Sequence, residues 1–283
     1  MSRVSVVLCV LTPTPFLRAM TEFTIKTLRA HADENFELVV VEAAGDWFSP
    51  LRRPARVMDN SPTCEWPECS CLRGNTKESC NLLRIDRYLN FTPGVGCVRE
   101  LNLGLATAAG DFVVCTGNDV IVPPHWDTEL LRCFEERRDC GIASLSAFEP
   151  GAIIGPPHAM DRIVEGMYSP CVMIRKGERF DEAYRKIYQD SDFVMQVYER
   201  GQRAYRSCRA HVHHLMRMTS DRVDPAGHNR DLAHDERLFY QRWGKSPLAM
   251  FGMIRAGHQV YGREYEAFTQ AINLHYDPNK AEG

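Results

Sequence analysis

No stretch of this chain reaches the roughly 18 uninterrupted apolar residues that a membrane-spanning helix needs. The N-terminal apolar run, Val4 to Leu11, is cut by Thr12-Pro13-Thr14-Pro15 before a signal peptide is complete. These absences predict a soluble, cytoplasmic protein. A basic excess is also missing, with 34 Lys and Arg against 37 Asp and Glu and a formal net charge of −3. General affinity for nucleic acid or anionic membranes rests on such an excess, so both are disfavoured, although a local basic face stays open. There is no GxGxxG directly after the first apolar run and no GKS or GKT phosphate loop, which argues against ordinary Rossmann dehydrogenases and P-loop NTPases. Nothing in the composition suggests disorder. The 283 residues suffice for one large α/β domain or two small ones, and in the cytoplasm the 11 cysteines are reduced thiols or metal ligands.

What the chain does contain is organised around residues 110–126. Phe112 to Cys115 is an apolar run between glycines, too short for an ordinary helix, and reads as a strand buried on both faces of a parallel sheet. Asn118 and Asp119 follow at its carboxyl end. Open α/β sheets bind ligands there, so Asp119 is placed to hold a metal ion or a polar ligand; alternatively the two residues only form a turn or cap. Val4 to Leu11 reads as the first strand, Phe16 to His31 as a helix with apolar residues at helical spacing, and Phe36 to Val41 as a second buried strand, a βαβ unit with a right-handed crossover. Glu42 sits at the same carboxyl edge as Asp119.

Periodicity then fails. Between about residues 58 and 81 lies an insertion in which Cys64, Cys69, Cys71 and Cys80 fall close together among Pro and Gly. Four thiolates there would hold a structural Zn²⁺; the spacing matches no common zinc ribbon or finger, and the alternative is a loop of free thiols or a disulfide. Leu82 to Leu89 reads as a third strand. Gly94 to Gly110 is a glycine-containing loop running into a helix whose apolar face is Val98, Leu101, Leu105 and Ala108, a place where a phosphate can sit on a helix N-terminus.

Four pieces in order resemble the GT-A glycosyltransferases of family 2. They are the Val4 to Pro13 strand, Val39-Val40-Val41-Glu42, the helix carrying Arg99 and Asn102-Leu103-Gly104-Leu105, and Asn118-Asp119-Val120 where the family carries DxD. The last piece departs from the pattern, keeping one carboxylate where many members have two. Downstream, Gln189-Asp190-Ser191-Asp192 resembles the acidic segment at a helix start that supplies a general base, His213-His214 the strand-ending histidine, and Gln241-Arg242-Trp243-Gly244 the closing segment.

The resemblance implies a GT-A, Rossmann-like α/β fold: a mostly parallel sheet flanked by helices over residues 1–245, with a nucleotide-sugar half to about 122 and an acceptor half from 123. A helical tail, 246–283, would pack on the core or on a second copy as a homodimer. It implies an inverting transferase with a UDP-, GDP- or dTDP-sugar held by Thr12, Pro13, Glu42, Arg99, Asn102, Asn118 and Asp119. Mn²⁺ or Mg²⁺ would sit on Asp119 with His213 or His214, whose register cannot be read. Asp190 would be the base and Asp192 the second candidate, unless these are helix N-terminal carboxylates stabilised by the dipole. From Cys171 to Arg230 there are 12 Lys and Arg against 8 Asp and Glu. That excess points to an anionic acceptor, a phosphate-bearing lipid or glycan or a modified DNA base, unless Arg200, Arg203, Arg206 and Arg209 form a solvated face. The competing reading is a non-catalytic nucleotide- or sugar-binding protein that keeps the fold.

Overall fold

The computed structural model describes residues 3–12, 14–43, 84–91, 96–149, 152–154, 162–167, 170–215, 225–244 and 246–247. Pro13, the four cysteines of the insertion and nearly all of the C-terminal tail lie outside them. Strand β1, Val4–Val10, is buried almost throughout. Thr14 then stops the extended chain and starts helix α1, Pro15–His31: its hydroxyl accepts from Leu17 N at 3.3 Å, and Pro15 occupies the first turn, where a missing N–H is harmless. Helix α1 returns the chain to β2, Glu37–Glu42, which pairs in parallel with β1. Strand β3, Arg87–Asn90, extends the sheet beyond β2. Only the end of the apolar run from Leu82 is therefore strand among the described residues.

Helix α2, Cys97–Thr107, packs over β1 and β2 at Gly104, where a Cβ would lie 2.5 Å from Val7 Cγ1 and 2.8 Å from Val41 Cγ2. The helix reaches this depth because that position has no side chain. Strand β4, Phe112–Gly117, pairs in parallel with β1 as its apolar run predicts. Its other neighbour is β9, Cys171–Arg175, which runs antiparallel to both β4 and β6, Cys140–Glu149. A wholly parallel environment for β4 is thus corrected to a mixed one. Short β5 (Val120–Ile121), β7 (Ala152–Ile154) and β8 (Ile163–Glu165) and the long β10 (Arg203–His214) complete a ten-stranded sheet of order β3-β2-β1-β4-β9-β6-β10-β5, with β7 on β6 and β8 on β10.

Alternation along each strand divides the core in two. Val6 and Leu8 join Ile25, Leu28, Trp126 and Leu130 under α1 and α3 (Trp126–Glu136), whereas Val7, Val39 and Ile142 join Val98, Leu105, Phe193, Val197 and Phe239 under α2, α4 (Gln189–Glu199) and α5 (Pro225–Trp243). Among the described residues no helix is long and apolar enough to cross a membrane.

Candidate active site

The first edge residue, Glu42, ends β2 fully buried. Its carboxylate accepts hydrogen bonds from the hydroxyls of Thr12, at the end of β1, and Tyr88, on β3. Tyr88 lies outside every motif read from the sequence; a polar ring in a short buried strand was the one signal available for it. The turn after β4 is built on Gly117, whose Cβ would stand 2.9 Å from Asp119 Oδ1, so the glycine leaves room for that carboxylate.

Asn118 does not face the same way. It is buried, its Nδ2 donates to Thr21 Oγ1 at 3.0 Å, and its carbonyl oxygen accepts from Thr24 Oγ1 at 2.9 Å. A nucleotide-ligand position by the family resemblance, it is seated on α1, fixing the turn that presents Asp119. Asn102 is likewise engaged: its amide brackets Phe180, donating to the carbonyl at 2.8 Å and accepting from the N–H at 2.9 Å, and it reaches Glu182 at 3.1 Å. It ties α2 to the loop before α4. Arg99 lies exposed on α2.

The two histidines separate by face. Antiparallel pairing of β5 with β10 sets His214 against Val120 and His213 against Ile121, and Leu215 N donates to Asp119 O at 2.8 Å. His214 Nε2 consequently lies 3.8 Å from Asp119 Oδ2, both side chains 18% exposed. His213 is exposed on the opposite face of β10, its ring 5.1 Å from that of Phe148, so of the two expected metal ligands only His214 meets Asp119. Two donors about 2 Å from one ion lie roughly 3–4 Å apart, and a carboxylate oxygen with an imidazole nitrogen suits Mn²⁺ or Mg²⁺ in kind. In number they fall short: among the described residues no three His, Cys, Asp or Glu side chains gather. The remaining positions would have to come from a bound diphosphate and water.

Across the sheet, the two carboxylates at the start of α4 have different surroundings. Asp192 is fully buried and accepts from Tyr184 OH at 3.0 Å, Arg242 Nη1 at 2.9 Å, Trp243 Nε1 at 2.9 Å and Gln196 Nε2 at 2.6 Å. The hydrogen bonds that Arg242 donates to Asp192, and then to Asp181, raise its pKa above the ordinary value; burial and then the Asp192 charge raise that of Tyr184. With four donors already on its two oxygens, Asp192 locks α4 to α5.

Asp190 is half-buried and, among the described residues, accepts only from its neighbour Ser191, at 2.8 Å from the N–H and 3.4 Å from the hydroxyl. Its position is imposed from α5: the buried carboxylate of Asp235 accepts from the N–H groups of Arg185, Lys186 and Ile187 at 2.8–2.9 Å. Tyr188, next in line, has a left-handed backbone with φ of 62° and turns the chain into α4. Asp235 opens the closing segment, but no sequence signal marks its role, because its partners are main-chain groups some fifty residues away.

No protein-family model matches the sequence, and neither does any curated protein. Among solved structures the chain is similar to TarS from S. aureus, with a TM-score of 0.56 and 16% identity over 90% of this chain and 42% of that one. TarS 1–349 gives a TM-score of 0.56 at 14% identity, covering 91% and 73% of the two chains. TarS 1–349 in complex with UDP gives 0.55 at 17%, covering 90% and 70%. The fold is a glycosyltransferase fold. At these identities the likeness concerns architecture alone, and the chain spans well under half of the longer TarS chain.

Proposed function

We propose that this protein is an inverting glycosyltransferase that takes its sugar from a nucleotide diphosphate donor. The observation that carries the reading is the pairing of Asp119 with His214 at the carboxyl edge of a glycosyltransferase fold, with a second carboxylate, Asp190, held at the start of α4. TarS has been solved in complex with UDP, which makes UDP the first donor nucleotide to try.

In this reading the nucleotide lies over the edge formed by Thr12, Glu42 and Asp119. The acceptor hydroxyl gives its proton to Asp190 as its oxygen bonds to the anomeric carbon; the bond from that carbon to the diphosphate oxygen breaks, and the nucleoside diphosphate leaves. A divalent ion on Asp119 and His214 would supply charge neutralisation for the departing diphosphate. Asp192, Asp235 and Asn118 act by positioning: the first two hold the base, the third holds the turn bearing Asp119.

The test is release of nucleoside diphosphate from UDP-, GDP- and dTDP-sugars incubated with candidate acceptors. Asp190→Asn is expected to lower turnover about 10²- to 10⁴-fold with little change in donor affinity. Equal turnover by wild type and this variant would remove Asp190 as base, and binding without turnover across the panel would favour a non-catalytic sugar-nucleotide binder.

A further inference from the structure

Of the four arginines that sequence reasoning grouped together, three are matched by an acid. Arg200 pairs with Glu178 at 2.9 Å, Arg203 with Glu165 at 3.7 Å and Arg209 with Glu136 at 3.8 Å. Arg206 differs. It is only 4% exposed, and among the described residues its buried Nε and Nη1 have no hydrogen-bond partner. A guanidinium does not give up its proton in proteins, so the fold holds a full positive charge with idle donors, an arrangement that is strongly destabilising unless something compensates it.

The pairing of β10 with β6 shows what lies beside that charge. Arg206 stands opposite Ser144; the register slips between Ser207 and His211; then His211 stands opposite Ser146 and His213 opposite Phe148. The slip takes up three extra residues of β10, making Arg206 and His211 next-but-one neighbours on one face of the sheet. That face carries a strip of Ser144, Ser146 and Phe148 on one strand and Arg206, His211 and His213 on the other, continuing from the core positions Ile142 and Ala204. Exposure rises along it, from buried Arg206 through half-buried His211 to exposed His213, with the imidazoles 4.9 and 5.1 Å from the Phe148 ring. A sheet face that should be apolar at this depth is instead polar, and its outer end is open to solvent.

We propose that Arg206 is the floor of an oxyanion-binding subsite, where a phosphate or carboxylate group enters along the His211 and His213 strip and takes the unpartnered N–H groups. The charge balance and the satisfied donors follow from one ligand. Within the transferase reading, on which this last step alone rests, the oxyanion belongs to the acceptor. Because the other three arginines are already paired, the subsite takes one anionic group and is not part of a track for a polyanion.

The experiment is calorimetric titration of the full chain with inorganic phosphate and, separately, with acetate, at ionic strength held constant with NaCl and with no nucleotide present. Saturable binding of at least one anion is expected, weakened at least tenfold in Arg206→Met and at least threefold in Arg206→Lys, which keeps the charge but not the planar donor set. Tighter binding of phosphate assigns a phosphorylated ligand, and tighter binding of acetate a carboxylated one. No saturable binding of either anion, or equal affinity in wild type and Arg206→Lys, overturns the subsite. If Arg206→Met does not fold, the lysine variant decides alone. Since no sugar nucleotide enters the titration, an inactive donor panel with anion binding intact counts against the transferase reading and leaves the subsite standing.

Discussion

Asp190 and Asp192 are two residues apart and chemically alike, yet their surroundings give them different work. The four donors on Asp192 come from Tyr184, Gln196, Arg242 and Trp243, and replacing the carboxylate leaves several of them buried and unmatched. Asp192→Asn is therefore expected to lower the unfolding free energy by about 2–4 kcal/mol, whereas Asp190→Asn, which loses only contacts to its own neighbour, should stay within about 0.5 kcal/mol. Urea unfolding of both variants measures this, and equal stabilities would show that Asp192 is not the lock described. Sequence reading could rank these two by motif but could not see the donors, of which Arg242 and Trp243 lie fifty and more positions downstream. Still larger separations hid the seat of Asn118 on Thr21 and Thr24 and the bracket that Asn102 makes around Phe180. His213 and His214 were undecidable for a different reason. Which one faces Asp119 depends on the pairing of β10 with a two-residue strand, β5, that has no periodicity of its own.

Among the elements, β1, β2 and β4 were legible because each is a short apolar run buried on both faces. The direction of β9 was not: an antiparallel strand inside a covered sheet presents the same apolar run as a parallel one. The span of α1 was legible from the apolar spacing between Phe16 and His31, one residue inside the observed start at Pro15, while the limits of α2 were not. Its approach to the sheet rests on Gly104. Gly104→Ala puts a methyl group against the stiff, branched side chains of Val7 and Val41, so a destabilisation of about 1–3 kcal/mol is expected. Thermal and urea unfolding would read it. A neutral effect would mean that α2 can lift from the sheet without loss, and that the bond pattern of Asn102 is not tightly tied to helix position.

For the molecule as a whole, one sheet runs from β3 to β5 through both halves that the sequence suggested, and the candidate groups line up along its carboxyl edge and on α4. Net charge said little about ligands. Of the four arginines grouped between Cys171 and Arg230, Arg200, Arg203 and Arg209 are matched by acids, and Arg206 keeps two buried N–H donors with no partner among the described residues. Nucleotide binding with a metal at this edge is the property on which transfer would depend. Calorimetric titration of UDP, GDP and dTDP, each with and without Mn²⁺, tests that before any acceptor is known. The expected result is nucleotide binding that strengthens at least tenfold with Mn²⁺, is lost in Asp119→Ala and is weakened in His214→Ala, with little Mn²⁺ uptake at this edge when nucleotide is absent, because among the described residues it offers only two donors. Absence of binding by all three nucleotides in Mn²⁺, or binding unchanged in Asp119→Ala, would contradict it.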